Sequence, residues 1–477
     1  MPTTLTIQRV LAVLAAGVFA GCTTGPDHKR PEIATPADWA ENQILDITEE
    51  ADLVEWWRSF GDPFLDELVA RALDGNLEIQ IQAARVEEAR ARLGLSRAER
   101  WPSLDAQADA SRERRPGAAL GIPGAGSTTS NLFSVSGMLS YEVDLWGRLA
   151  RERESAEALL RESHYARDAV RLNVAADVVT TYFDWRAARN QLAITRDTVE
   201  SRAETFRLQE IRREGGDIDE LAMQQARSEW EAARAALPAR QQRVRVLEGA
   251  LSVLTGLEPA ALWEESRDWA ARAETAEPGV PDAIPAYLPS ELLERRPDIR
   301  AAEAALHAAT AGIGVAEAAR LPRLNLSALL GTAAGSVGDL FSDGTETWRL
   351  AGGLGGNLWD FGRNRARVET AEARARQAEA QYGLVVRLAF NEARDALTLF
   401  ESGAERVEAT GRLVDALERT EEIAEIRYRE GLISFLERLD AQRALLDARL
   451  GYEDALRDQR AAAATLFKAL GGGWEAM

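Results

Sequence analysis

The sequence predicts a mainly α-helical protein with a smaller β-barrel portion, and three observations predict it. One unit of over 200 residues is written twice in the 477-residue chain, each copy carries a proline-free helical run of 67 or 68 residues, and each copy carries two segments where apolar and polar residues alternate. A repeat this long is no solenoid period, so it reads as two equivalent halves. Glu78-Ile79, Gly94, Ala98, Arg100, Pro102 and Leu104 recur as Asp298-Ile299, Gly314, Ala318, Arg320, Pro322 and Leu324, offset 220. Trp146-Gly147-Arg148 and Ala156-Glu157-Ala158 recur as Phe361-Gly362-Arg363 and Ala371-Glu372-Ala373, offset 215. Arg213-Glu214-Gly215 then matches Arg429-Glu430-Gly431, and Gln225 matches Gln442, so the offset reads as drifting within five residues.

The N-terminus has its own logic. Arg9 precedes the apolar run 10–20, too short for the ~20 residues of a spanning helix, and small residues follow it, as in a secretory signal. Phe19-Ala20-Gly21-Cys22 resembles the bacterial lipobox, which implies that Cys22, the only cysteine, is lipid-modified and becomes the mature N-terminus. Thr23 in place of Asp points, by analogy with lipoproteins, to the outer membrane. Segment 23–36 carries Gly25, Pro26, Pro31 and Pro36 and reads as an extended linker.

Within each copy, 73–100 and 291–320 are Ala/Glu/Arg-rich with helical spacing, ended by Pro102 and Pro322. Strands are expected at about 102–146 and 322–361. In the first, Leu104, Ala106, Ala108 and Ala110 interleave with Asp105, Gln107 and Asp109; in the second, Leu324, Leu326, Ala328 and Leu330 interleave with Asn325 and Ser327. Gly/Pro/Ser-rich turns at 116–130 and 331–345 split each segment into two strands, four in all. Alternation over about ten residues suits an outer-membrane barrel. Four strands cannot close one, so copies must combine to hide the sheet edges, two giving eight strands and three giving twelve.

The proline-free runs 148–214 and 363–430 follow. At ~1.5 Å per residue each spans roughly 100 Å, too long for a compact globule. Both stop at glycine, Gly215-Gly216 and Gly431, and helices resume from Ile218 and Ser434, so each copy forms a long helical hairpin. Pro238 is expected to kink the first return helix. The organisation reads as a signal 1–21, an acylated extended segment 22–62, a first repeat 63–257, an equatorial linker 258–290, a second repeat 291–470 and a tail 471–477.

Composition excludes several functions. Lys plus Arg number 57 against 77 Asp plus Glu, a net charge of −20, which argues against nucleic-acid binding. One cysteine and three scattered histidines, His28, His164 and His307, give no metal-ligand spacing. No nucleophile elbow, Walker lysine motif or dinucleotide fingerprint is present, so no catalytic residue and no cofactor beyond the lipid on Cys22 is expected.

Three longer motifs, Trp56-Trp57-Arg58-Ser59-Phe60-Gly61-Asp62-Pro63, Leu288 to Ile299 with its Leu-Glu-Arg-Arg-Pro-Asp core, and Leu439-Asp440-Ala441-Gln442-Arg443, closely resemble the outer-membrane factor family of TolC-like efflux channels. The lipidated terminus places the chain nearest the lipoprotein branch represented by OprM and NodT. The resemblance implies a homotrimer with a 12-stranded outer-membrane β-barrel continuous with a long periplasmic α-helical barrel, plus a mixed equatorial region. It also implies docking to a periplasmic adaptor and an inner-membrane RND-type transporter. Leu436, Asp440 and Arg443 map onto the family's periplasmic gate: Leu436 as apolar constriction, Asp440 as a ring of three carboxylates, Arg443 as ionic latch. Gly215, Gly216 and Gly431 would mark the adaptor-contacting hairpin tips. The bland alternative for Asp440 and Arg443 is a solvated ion pair worth ~0.3 kcal/mol.

Overall fold

The computed structural model describes residues 23–34, 54–116, 126–258, 261–273, 278–281 and 291–472; Cys22 and the leader before it lie outside the described residues. The chain forms two compact units, and neither is one of the repeats. Unit one takes 1–32, 85–164 and 301–383, and unit two takes 33–84, 165–300 and 384–477, so each draws on both copies.

Unit one holds the sheet. Strands β1 (Ser103–Arg115), β2 (Thr128–Val143), β3 (Arg323–Ala334) and β4 (Glu346–Gly355) form one antiparallel sheet in the order β1-β2-β3-β4. The central β2–β3 ladder, running from Phe133 opposite Ala334 to Val143 opposite Leu324, joins the two copies side by side. The outer ladders are equivalent: Leu104 faces Leu139 in the first hairpin, and offsets of 220 and 215 turn this pair into Leu324 facing Leu354, the pair observed in the second. The offset therefore changes once, in the hairpin loop. Alternation leaves Leu104, Leu330, Trp348, Leu350 and Leu354 exposed in the single chain, as a sheet meant to face lipid requires.

Segment 23–32 is not the loose linker its Pro/Gly content suggests. Thr24 donates its N–H and its Oγ1 to the Trp146 carbonyl (3.2 and 3.1 Å) and Oγ1 also to that of Gly314 (3.3 Å). Arg151, almost fully buried, donates to the Thr24 and Gly25 carbonyls (3.1 and 3.2 Å) and to Asp27 Oδ1 (2.7 Å). Gly25 (φ +87°) and Gly314 approach so closely that a Cβ on Gly314 would lie 2.6 Å from the Thr24 carbonyl oxygen. Further on, His28 stacks on His307 at 4.5 Å, His307 Nε2 lies 2.9 Å from Glu154, and Arg30 donates to Tyr382 (3.2 Å).

Unit two holds the aromatic core, with Trp56, Phe60, Phe64, Tyr182, Phe183, Trp185, Trp269 and Phe467 buried together. The Trp-Trp motif is its anchor. A short 3₁₀ turn, Trp56–Phe60, ends at left-handed Gly61, and Asp62 then caps helix α1 (Pro63–Gly75) by accepting from the Phe64 and Leu65 N–H groups. Tyr182 and Arg186 donate to the same buried carboxylate. The Arg-Arg-Pro-Asp motif is also structural. Arg296 donates to the Ala469 carbonyl (3.0 Å), to both oxygens of Asp298 and to Glu392 (2.7 Å), which ties down the last helical turn among the described residues.

Each expected leading helix is interrupted. In the first copy α1 stops at Gly75 and α2 (Leu77–Ala98) begins after Asn76, whose Oδ1 accepts from the N–H groups of Glu78 and Ile79. In the second, α6 (Leu292–Arg295) ends because Pro297 forces Arg296 to extended geometry, and Pro297 then opens α7 (Pro297–Ala318). Between the copies lies α5 (Leu262–Ala273). The hairpin helices match residue for residue: α3 (Arg148–Glu214) and α8 (Arg363–Arg429) have 67 residues, α4 (Glu220–Leu254) and α9 (Phe435–Ala469) have 35, both at offset 215. The drift to 216 and 217 read from the sequence is thus absent. Helix α4 runs unbroken past Pro238.

Candidate functional site

The two interhelical turns of unit two are built alike. In the first, the Asp217 N–H reaches back to the Arg212 carbonyl (2.9 Å) and Gly216 sits at φ +80°; in the second, Leu432 reaches Arg427 (2.8 Å) with Gly431 at φ +71°. Both are Schellman closures, which need a residue free to turn left-handed. Gly216, not Gly215, is therefore the counterpart of Gly431, while Gly215 needs no positive φ. Asp219 then caps α4, and Ser434 caps α9 in a full capping box with Glu437.

Just past the second turn, Phe435 and Leu439 of α9 pack on Ala226 of α4. Tyr428 ties α8 to α3, accepting at its hydroxyl from Gln209 (2.8 Å) and Arg212 (3.0 Å), while Arg438 lies over its ring at 5.1 Å and pairs with Glu425.

Of the three gate candidates the structure brings two together. Arg443 Nη1 lies 3.2 Å from Asp440 Oδ1, and both are exposed. Leu436, one turn earlier, is also exposed and stays out of the apolar cluster. The more buried part of the site was missed from sequence: Arg443 also pairs with Glu229 of α4, and Glu229 pairs with Arg202 of α3, so four charges run Arg202, Glu229, Arg443, Asp440 across three helices. Burial alone would raise the Glu229 carboxyl, but Arg443 and Arg202 outweigh it and hold it below the ordinary carboxylate value. Burial, reinforced by Arg443, lowers Arg202 despite Glu229. The only sequence signal for this chain of charges is an acidic residue on α4 at the height of Arg443, legible once the hairpin register is known.

A cleft of about 270 Å³ adjoins the charges, lined by residues that include Thr198, Ser201, Glu421, Gln442 and Arg449. Within it Glu421 accepts from Gln442 (3.3 Å), and Arg449 pairs with nearby Glu418 (2.7 Å). Among the described residues no group of His, Cys, Asp or Glu is placed to hold a metal ion, and no helix is long and apolar enough to cross a membrane.

Comparison with known proteins bears on this architecture. Residues 68–257 and 288–472 match the family model for outer membrane efflux protein. The chain is 31% identical over 470 residues, covering 97% of itself and 94% of the relative, to TtgC of Pseudomonas putida, named a probable efflux pump outer membrane protein. It is 30% identical over 471 residues, 98% and 99% covered, to CusC of Escherichia coli, named a cation efflux system protein. Among solved structures, the outer-membrane channel OprN superposes with a TM-score of 0.86 at 31% identity, covering 95% of this chain and all of that one. With its four-stranded sheet and paired helical hairpins, this chain belongs to the outer membrane efflux protein family.

Proposed function

We propose that the protein is the outer-membrane exit duct of a tripartite efflux system, carrying small molecules passively outward. In this reading three copies close one 12-stranded barrel and one helical tunnel, Cys22 carries the lipid, and a periplasmic adaptor and an inner-membrane RND-type transporter complete the conduit. The observation that carries it is the sheet itself: four strands with an exposed apolar face and two edge strands, β1 and β4, cannot stand alone in a membrane. The duct works without catalysis and without a cofactor.

In the same reading the charge chain is the gate. Leu436 supplies the apolar constriction, Asp440 the carboxylate ring and Arg443 the latch, with Glu229 as the latch's second partner. The turns at Gly215, Gly216 and Gly431 meet the adaptor. Relatives named for toluene efflux and for cation efflux resemble this chain about equally, 31% and 30% identical, which supports a pump and adaptor, rather than the duct, choosing what is carried.

The test is a planar-bilayer recording of the purified mature protein and of Arg443→Ala. A small stable conductance that rises in the variant is expected. Absence of conductance in both, from protein verified as folded and inserted, would overturn the duct in favour of a lipid-anchored helical scaffold.

A further inference from the structure

We infer that the first copy carries a binding site for the phosphate diester of a membrane phospholipid, set where α2, α3 and the β1–β2 hairpin meet. The inference rests on the barrel reading above, in which the apolar face of the sheet meets lipid, and adds a ligand that reading leaves out.

The site is a groove of about 660 Å³ lined by Arg97, Arg100, Trp101, Pro102, Tyr141 and Arg153. Three guanidiniums and no carboxylate line it, in a chain whose net charge is −20. One carboxylate oxygen stands beside them: Glu157 Oε1 lies 3.3 Å from Arg97 Nη2 and 3.1 Å from Arg153 Nε. Arg100 is exposed and has no ion pair among the described residues. The cluster therefore keeps an excess of positive charge. A phosphate diester answers it with one negative charge and two free oxygens, the pattern that a planar guanidinium binds in pairs.

The surroundings select a lipid over a free anion. Tyr141 lies two residues beyond Leu139, which is paired with Leu104, so all three share the apolar face of the sheet. Trp101, 76% exposed, stands just before that face begins at Leu104. Two aromatic rings at the end of an apolar strand face, with arginines behind them, suit the level of lipid headgroups, where ring and aliphatic stem meet apolar chains and the polar ends stay wet. Segment 23–32 marks the same level. Thr23 packs on Gly147, at the foot of β2, so the lipid that the reading above places on Cys22 enters the membrane at this end of the sheet.

Duplication supplies a control. At offsets of 220 and 215 the six positions become Glu317, Arg320, Leu321, Pro322, Gly356 and Val368, so the second copy keeps one arginine of three and neither ring. The repeated backbone thus forms the foot of a hairpin once with the cluster and once without it, and the cluster is not something the fold requires.

Lipid retention tests the site. The full-length protein is inserted into liposomes, solubilised, and examined by native mass spectrometry with three probes: dioleoylphosphatidylglycerol, dioleoylglycerol, which lacks the phosphate, and inorganic phosphate. Phosphatidylglycerol is expected to remain bound, dioleoylglycerol to wash off, and inorganic phosphate not to displace the lipid. Arg100→Ala should weaken phosphatidylglycerol binding about fivefold and Arg100→Ala with Arg153→Ala about 25-fold, while Arg320→Ala in the second copy leaves it unchanged. Arg100 makes no ion pair within the described chain, so its variant tests the ligand without removing a structural bond. Equal retention by wild type and the double variant would overturn the site, as would an equal loss in Arg320→Ala. Displacement by inorganic phosphate would overturn the lipid in favour of a free anion. Dissociation of the oligomer in Arg100→Ala, with lipid bound per chain unchanged, would make the cluster a subunit contact instead. Failure of the wild type to insert into liposomes would overturn the barrel and the site with it, whereas the other adverse results overturn the site alone.

Discussion

Replacing Glu229 should loosen the helical turns far more than replacing Asp440, although Asp440 is the residue the gate motif singles out. Among the described residues the Arg202 side chain, 8% exposed, has Glu229 as its only ion-pair partner, and Asp440, 64% exposed, has only Arg443. In Glu229→Ala a nearly buried guanidinium loses its counter-charge. Full burial would make that cost ~3–5 kcal/mol; relaxation of a long side chain toward the adjoining cleft brings the expected value to about 2 kcal/mol. Asp440→Ala removes one exposed i,i+3 pair, about 0.3 kcal/mol. At ~1.4 kcal/mol per tenfold, local opening should rise about 25-fold in the first variant and less than twofold in the second. Hydrogen–deuterium exchange of 195–235 and 425–450 in lipid nanodiscs reads this directly. Arg202→Leu added to Glu229→Leu should recover most of the loss, because both buried charges are then gone. Equal exchange in Glu229→Ala and Asp440→Ala would refute the reasoning, since burial would then not decide the cost.

Other expectations follow from the same geometry. Burial, with the neighbouring His307, lowers the His28 imidazole from its ordinary value, against raising by Glu303 and Glu154 and with Arg161 adding to the lowering. Segment 23–32, a strap bonded across unit one, therefore takes up a proton more readily when unfolded than when docked, so docking should weaken as pH falls through about 6.5; protease cleavage within 23–32 should rise between pH 8 and 5, and less so in His28→Phe. Arg296→Ala should cost about 3 kcal/mol by leaving Asp298 and the Ala469 carbonyl without their donor, and Arg296→Lys should recover only part of it, because the guanidinium makes bonds in several directions; thermal denaturation checks both. Gly216→Ala and Gly431→Ala should each cost about 1 kcal/mol because their φ is positive, while Gly215→Ala should be near neutral; chemical denaturation followed by circular dichroism distinguishes them.

Much of this architecture was legible because it is periodic or punctuated. Alternation located the strands, and the absence of proline between Arg148 and Glu214 gave the long helix to the residue. The interruptions at Asn76 and Arg296 were not, although Gly75-Asn76 and Pro297 mark them, because helical spacing resumes directly on the far side of each break. The strap was misread for the opposite reason: Gly25 and Pro26 look like linker composition, and the partners that fix them, Trp146, Arg151 and Gly314, are distant in sequence. At the candidate site the motif supplied Asp440 and Arg443, whose spacing is local. Arg202 and Glu229 lie on two other helices, and no spacing rule joins them to Arg443 before the hairpins are packed.

The strap also makes unequal what duplication made equal. Helices of 67 and 35 residues repeat without a length change, yet only one of two equivalent glycine pairs is filled: Gly147 of the first copy and Gly314 of the second press on Thr23 and Thr24, while around their counterparts Gly362 and Gly94 the described residues of the single chain leave open space. A chain re-ordered to begin with its second half would present the strap with a different pair of faces. Ten residues at one end are thus enough to make the two halves no longer interchangeable.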